Sequence, residues 1–291
     1  QETKKFPSNP KDVFTSISHE SDEVFKMWLA LKHNHTKLSI FQHGGGIGMS
    51  EFSSELMHDF KIADKYFTWG WSNKIRKVKP LFFIKQLKSK KRFRKEKIIF
   101  CPYFFSKYPR NFKPLETQDC NLEFLNSQKE ILKYLNLHLK GTYIRLGIKE
   151  DHIAKYYKKI IRKNYKNLKI DNNKNFSESL SEAKMIITTY NSTVLLESIY
   201  LDVPIVAMWK KDQFYFNAKS KKYFNFLEKS KILQNDTKKG LKFIKGISTD
   251  PLSWWNNMNT VSNLEKFSNH FCNKFFSYNS LKKNIINEKI N

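Results

Sequence analysis

The sequence predicts an α/β fold of two doubly wound parallel-sheet domains, the first of them incomplete. Its 291 residues are enough for two domains of ordinary size. Short apolar segments alternate with amphipathic ones along the chain. This alternation is typical of a parallel β-sheet whose strands are connected by helices that cover both faces. A basic, aromatic segment near residue 80 interrupts this alternation and marks a domain boundary.

The first series of elements ends at that basic segment. In chain order, its strands and helices are predicted at 12–16, 22–32, 37–42, 53–62 and 66–68. Residues 1–80 are therefore assigned to the C-terminal part of an N-terminal, acceptor-side domain, and residues 81–96 to a basic linker. Because the chain starts at Gln1 and enters a strand almost at once, we expect a longer protein with an upstream segment.

The second series covers residues 97–291 and predicts the larger domain, which binds the nucleotide in our interpretation. Its elements are expected at 97–105, 121–139, 142–146, 151–163, 168–171, 176–183, 185–189, 192–200 and 204–209. After Trp209 the pattern is mainly helical, which predicts a helical C-terminal tail.

The amino-acid composition excludes few classes of binding partner. The chain carries 53 Lys and Arg against 27 Asp and Glu, a formal charge of +26 that attracts polyanions. A bias toward Lys, Asn, Ile and Phe, typical of AT-rich genomes, explains much of this excess equally well. Three dispersed cysteines argue against a disulfide framework or a zinc site. The same cysteine content suits a reducing cytosol, so we expect a cytoplasmic protein. No apolar run approaches the ~18 residues of a membrane span.

The first candidate site is a histidine at the end of a strand, in the segment 42–48 (Gln-His-Gly-Gly-Gly-Ile-Gly). Ligands of α/β proteins bind at the carboxyl ends of parallel strands. The loop glycines are expected to take positive φ and to let a ligand approach the backbone: Gly44, Gly45, Gly46 and Gly48. His43 is the candidate general base, because imidazole exchanges a proton near neutral pH. A tight turn capped by the histidine is the alternative.

The second candidate site is the polar start of a helix that follows a buried strand. Asn191, Ser192 and Thr193 occupy the helix N-terminus, where unpaired amides and the helix dipole bind phosphate. Glu197 lies about one turn deeper and is predicted to bind a ribose hydroxyl. The alternative is a simple N-cap, for which Asn and Ser are preferred.

Three further features accompany these sites. Arg145 ends a predicted strand, where its guanidinium is suited to a donor pyrophosphate, although an ion pair explains it equally well. Trp69 and Trp71 are expected to pack in the protein rather than to stack a ligand. The basic run 74–97, with its phenylalanines, suits an anionic membrane surface or a solvated linker.

Two groups of motifs resemble known families. The segment 190–204 (Tyr-Asn-Ser-Thr-Val-Leu-Leu-Glu-Ser-Ile-Tyr-Leu-Asp-Val-Pro) resembles the donor-binding stretch of GT-B glycosyltransferases. Phe14-Thr-Ser, the segment 42–48 and the segment 61–71 (Lys-Ile-Ala-Asp-Lys-Tyr-Phe-Thr-Trp-Gly-Trp) resemble a family of bacterial transferases encoded with surface-polysaccharide genes. That family is distantly similar to capsule Kdo transferases and to CDP-glycerol glycerophosphotransferases. The similarities span residues 12–209.

The resemblance implies a GT-B-like architecture of two Rossmann-like domains and transfer that needs no metal or cofactor. Family members usually have a longer N-terminal domain, so we expect an N-terminally truncated member that keeps donor binding more surely than turnover. The two candidate motifs are expected to face each other from the two domains.

The favoured function is therefore transfer of a sugar from a nucleotide-activated donor to a glycan or lipid-linked acceptor, as in capsule or lipopolysaccharide synthesis at the inner face of the cell membrane. A CDP-alditol phosphotransferase is the first alternative. A non-catalytic nucleic-acid-binding protein is the second, but no nucleic-acid-binding motif accompanies the positive charge.

Overall fold

The structure is a computed structural model of the chain. It divides into two compact units, and the units are not continuous in sequence. The first unit comprises Gln1–Gly48, Ser53–Lys85 and Asn269–Asn291, and the second comprises Met49–Phe52 and Gln86–Ser268. The residues that the structure describes are 5–32, 34–84, 96–103, 118–147, 152–275, 279 and 282.

These units differ in two places from the domains that the sequence predicts. Met49–Phe52 groups with the second unit, and the residues from Asn269 onward group with the first. Most of the predicted linker 81–96, the far end of the predicted strand 97–105 and most of the chain beyond 275 lie outside the described residues.

The first unit contains one parallel sheet with the strand order β1-β2-β3-β4. Its elements are β1 (Asp12–Thr15), α1 (Ser18–Ser21), α2 (Glu23–Lys32), β2 (Lys37–Phe41), α3 (Ser54–Ile62), β3 (Lys65–Thr68) and β4 (Val78–Pro80). Five of these were predicted. The sequence missed α1 and β4, because each is too short for a hydrophobic period and β4 ends in a proline that only an edge position tolerates.

The second unit contains a parallel sheet with the order β10-β9-β8-β5-β6-β7. Its strands are β5 (Lys97–Cys101), β6 (Tyr143–Ile144), β7 (Lys169–Ile170), β8 (Ala183–Thr188), β9 (Ile205–Met208) and β10 (Leu233–Gln234). Its helices are α4 (Gln118–His138), α5 (His152–Asn164), α6 (Phe176–Glu182), α7 (Thr193–Tyr200), α8 (Ala218–Lys229), α9 (Thr237–Ile247), α10 (Pro251–Trp255) and α11 (Met258–Phe271), whose last turn belongs to the first unit.

The buried strands of the second unit explain why the sequence signal was strong there. In β8, Met185, Ile186 and Ile187 are all fully buried, so both faces of this central strand are covered. After Trp209 the described chain is mainly helical, as the sequence predicts, but it also contains the strand β10. Its two residues pair with β9 and are too few to show a period.

Within the described part of the chain, none of the helices combines the length and the apolar character that a membrane crossing requires.

Candidate functional site

The topology of the second unit creates a switch point between β5 and β8. From β5 the chain builds β6 and β7 on one side of the sheet, and then β8, β9 and β10 on the other. The carboxyl ends of β5 and β8 are therefore the edge where connections leave in opposite directions, which is where open α/β sheets bind ligands. Tyr103, just after β5, donates its N–H to Thr189 Oγ1 over 3.2 Å. The rings of Tyr103 and Tyr190 have centroids 5.3 Å apart.

Helix α7 begins at this switch point. Ser192 is its N-cap, and the Ser192 hydroxyl accepts the N–H of Val194 over 3.2 Å. The capping role that the sequence left open is thus real. It engages the Val194 amide in the first turn of a helix whose N-terminal end is electropositive, the polarity that attracts an anion.

Asn191 is the most incompletely satisfied polar residue of this edge. Its Nδ2 approaches the sulfur of Met49 at 3.3 Å, and a thioether is a weak acceptor. Its Oδ1 is buried without a hydrogen-bond partner among the described residues. Exchanging the amide oxygen and nitrogen leaves the same number of poorly paired atoms. A buried amide in this state needs a partner, and a polar ligand supplies one.

Two buried groups at this edge, Cys101 and Tyr190, are not suited to act as anionic nucleophiles. Burial raises the pKa of the Cys101 thiol to about 12, so this thiol is protonated at neutral pH. Burial also raises the pKa of Tyr190 to about 12, which keeps its phenol a hydrogen-bond donor. Glu197 is only 5% exposed on α7, so a ribose hydroxyl would have to reach it at the buried side of the helix.

Arg145 is engaged within the second unit. Its Nη1 donates to Asp171 Oδ2 at 3.0 Å, to the carbonyl of Asn173 at 3.0 Å and to Ser179 Oγ at 2.8 Å. The Asp171 side chain is 1% exposed and that of Arg145 is 14% exposed. The ion-pair alternative therefore holds, although the pair is largely buried and not on the surface. The predicted donor contact is open only to the other guanidinium nitrogens.

In the first unit, His43 follows β2 and lines a cavity of about 430 Å³. The cavity walls come from the ends of strands and from aromatic side chains: Phe14, Thr15, Ser16, Phe41, Gln42, His43, Trp69, Phe82 and Ile84. The Nδ1 atom of His43 is buried without a hydrogen-bond partner among the described residues. One imidazole nitrogen thus lacks a hydrogen-bond partner, and the residue lines a cavity large enough for a small polar ligand.

Gln42 organises this loop, and sequence reasoning missed its role. The Gln42 side chain is buried, and its Oε1 accepts both the Trp69 N–H at 3.0 Å and the Trp71 indole N–H at 2.8 Å. Its Nε2 donates to the carbonyl of Gly44 at 2.8 Å. The one sequence feature that could have indicated this role is a long amide side chain directly before His43. Trp69 and Trp71 are buried as predicted, with 1% and 4% of their surface exposed.

The glycine prediction needs a correction. Of the loop glycines, only Gly48 has a positive φ, at +80°. A Cβ on Gly48 would lie 2.3 Å from the Trp71 ring, so the indole occupies the space that a side chain would need. Gly44, Gly45 and Gly46 do not need the left-handed region. Any ligand contact of theirs stays a prediction.

Replacing Gln42 with leucine should destabilise the first unit without adding a cavity. The variant leaves two buried N–H donors, those of Trp69 and the Trp71 indole, without their acceptor. Each buried unpaired donor costs about 1–3 kcal/mol, so we expect a loss of about 2–5 kcal/mol in a urea unfolding curve followed by tryptophan fluorescence. A loss under about 1 kcal/mol would contradict this role. Gln234→Leu, at a partly buried amide that bonds Lys231, is the control.

A family model described as LIC12162 family transferase matches residues 1–286. None of the curated proteins matches the sequence. Among solved structures, a proposed UDP-N-acetylglucosamine 2-epimerase from Listeria monocytogenes is 8% identical with a TM-score of 0.50, covering 92% of this chain and 71% of its own.

Two other solved structures are similar over most of this chain. TarM is 13% identical with a TM-score of 0.45, and the wall teichoic acid polymerase TagF is 12% identical with a TM-score of 0.44. Each match covers 86% of this chain, but only 50% of TarM and 66% of TagF, so the chain spans less than two thirds of either. The likeness to the Listeria protein concerns the fold alone. Together with the two parallel sheets, it confirms the predicted α/β, GT-B-like class.

Proposed function

Because the chain belongs to the LIC12162 family of transferases, we propose that it transfers a glycosyl unit from a nucleotide-activated sugar to a bacterial surface glycan. The observation that carries this proposal is the start of α7 at the β5/β8 switch point, next to the unpaired Asn191 Oδ1. A helix N-terminus attracts anions, and an unpaired amide oxygen accepts a hydroxyl. A nucleoside diphosphate linked to a sugar offers both groups.

In this proposal the second unit handles the leaving group. When the bond between the sugar and the donor phosphate breaks, negative charge grows on the phosphate oxygens. The amides and hydroxyls at Asn191, Ser192 and Thr193, with the dipole of α7, are fixed in place before the charge appears. Preorganised groups of this kind stabilise a developing anion by several kcal/mol, so the reaction needs no metal ion at the phosphates. Glu197 and the outer nitrogens of Arg145 are secondary candidates for donor contacts.

The first unit handles the acceptor. The His43 imidazole removes the proton from an acceptor hydroxyl as that oxygen attacks the sugar. Aromatic walls at Phe14, Phe41 and Phe82 suit the apolar face of a sugar ring, and Ser16 supplies a polar contact. The acceptor is then a growing or lipid-linked glycan. The basic run 74–97 is proposed to bind an anionic membrane surface that carries the lipid-linked acceptor. Residues 85–95 of this run lie outside the described residues.

A binding screen tests the phosphate site directly. Binding of CMP, CDP, UDP and GDP to the full chain is measured by calorimetry, and Ser192→Ala is compared with Ser53→Ala. Both serines are N-caps that accept an amide over 3.2 Å, Ser53 on α3 and Ser192 on α7. Each variant should lose about 1 kcal/mol of stability as a lost cap. Only Ser192→Ala should weaken the best nucleotide, by about tenfold, as expected for a hydrogen bond to a charged group.

Equal nucleotide affinity in the two variants would remove α7 from donor binding. Product analysis then decides the chemistry. Phosphorus in the transferred unit indicates the CDP-alditol phosphotransferase, whereas its absence supports glycosyl transfer. Tight, salt-sensitive DNA binding without any nucleotide affinity would instead favour the nucleic-acid-binding alternative.

A further inference from the structure

A buried cluster of one imidazole and two carboxylates lies in the first unit, separate from His43. The Nε2 atom of His19 is 2.8 Å from Asp59 Oδ1 and 3.6 Å from Glu20 Oε1. One ligand atom of each residue lies within 4.8 Å of the others. The side chains of His19 and Asp59 are 1% and 2% exposed, while that of Glu20 is 26% exposed. The cluster is therefore enclosed, with access to solvent on the Glu20 side.

The spacing of these atoms matches that of donors around one small cation. Zinc binds nitrogen and carboxylate oxygen at about 2.0–2.2 Å, which puts two donors of a tetrahedral site roughly 3–3.5 Å apart. The observed separations from His19 Nε2, 2.8 Å and 3.6 Å, lie on either side of this range. Each of these two distances is within a few tenths of an ångström of the range expected for zinc ligands.

Polar atoms at the cluster also lack partners. Glu20 Oε1, which lies inside the cluster, is buried and has no hydrogen-bond partner among the described residues, and the same is true of Tyr66 Oη. Tyr66 is fully buried. Burial, and after it the negative charges of Asp59 and Glu20, raises the pKa of Tyr66, so its hydroxyl lies within their electrostatic reach. Buried polar groups without partners call for a ligand.

The charges do not balance without an added cation. Two carboxylates face one imidazole, which contributes at most a single positive charge. In the part of the chain that the structure describes, the ion pairs of Asp59 and Glu20 are with His19 and not with a lysine or arginine. Buried charge is costly unless it is paired or coordinates a metal.

We propose that His19, Glu20 and Asp59 bind one divalent transition-metal ion, for which Zn²⁺ is the best match to one imidazole and two carboxylates. A water molecule from the Glu20 side completes the coordination. The ion links α1 to α3 and stabilises the turn between β1 and α1. Thr15, the last residue of β1, and Ser16, in that turn, line the His43 cavity. The site is structural and does not depend on the proposed transferase function.

Zinc binding by the full chain, stripped with EDTA and dialysed, tests this site. Calorimetry with ZnCl₂ should give one ion per chain, and the Tm should rise by about 5 °C at a free zinc concentration of 100 times Kd. Asp59→Asn and Glu20→Gln each replace a carboxylate by an isosteric amide and should weaken binding more than tenfold. His58→Gln is the matched control, because His58 is an exposed histidine next to Asp59 on α3. It should bind zinc as the wild type does.

The proposed site would be wrong if the wild type bound no zinc and showed no rise in Tm. Unchanged zinc affinity in Glu20→Gln would also contradict it. Loss of the ion in His58→Gln would assign the zinc to a surface histidine instead. If Asp59→Asn fails to fold, as shown by its circular dichroism spectrum, the Glu20→Gln variant decides alone, since its side chain is partly exposed.

Discussion

Replacing His43 with alanine should lower kcat by about 10²–10⁴-fold, the usual contribution of a general base. Nucleotide affinity should stay within about twofold of the wild type, because the proposed phosphate site belongs to α7 in the other unit. Turnover is measured with the nucleotide sugar that binds best, and affinity is measured by calorimetry on the same samples. The split between an intact Kd and a reduced kcat is what distinguishes a base from a binding residue.

A histidine elsewhere in the same unit controls for nonspecific damage. His58→Ala removes an exposed imidazole on α3 and should leave both kcat and Kd unchanged. Turnover of His43→Ala at the wild-type rate would exclude His43 from the chemistry. A parallel fall in nucleotide affinity would show that His43 acts by binding and not by proton transfer.

The pH dependence of kcat/KM tests the proposed role of His43 independently. A general base must be unprotonated to accept a proton, so the kcat/KM of the wild type should fall as the pH is lowered. His43→Ala should abolish this acidic limb while leaving any limb that belongs to the substrate. A wild-type profile that does not fall toward acidic pH would contradict the role.

The parts of this molecule that the sequence predicted are those with strong local patterns. Strand β8 is apolar on both faces and α7 starts with good capping residues, so their positions followed from residue type alone. The switch point between β5 and β8 is different, because it depends on the order of strands in the sheet. No local pattern in the chain specifies that order.

The candidate sites show the same limit. His43 and Asn191 were found because each lies at a strand's carboxyl end. The partners of Gln42, Trp69 and Trp71, are 27 and 29 residues away, and Asp59 is 40 residues from His19. Contacts at such separations are set by tertiary packing, and a single sequence does not reveal them. The close approach of Trp71 to Gly48 was missed for the same reason, because the two residues are distant in sequence.

Arg145→Met should destabilise the second unit by about 3–5 kcal/mol, the cost of leaving a buried charge unpaired. The Asp171 carboxylate, 1% exposed, would keep its bond from Ser179 but lose its only cation among the described residues. Urea unfolding measures the change. Lys97→Met is the matched control, because Lys97 pairs with Glu182 at 2.7 Å near the surface and should contribute under about 1 kcal/mol.

The double variant Arg145→Met/Asp171→Asn separates the two roles of Arg145. Removing the carboxylate charge together with the guanidinium should restore most of the lost stability, since a neutral replacement of a buried ion pair is often nearly as stable. If Arg145 serves the fold alone, this variant also binds nucleotide as the wild type does. Restored stability with a nucleotide affinity at least tenfold weaker would show instead that the outer nitrogens of Arg145 contact the donor phosphates. Failure to regain stability would mean that Ser179 and the Asn173 carbonyl, and not Asp171, are the partners that matter.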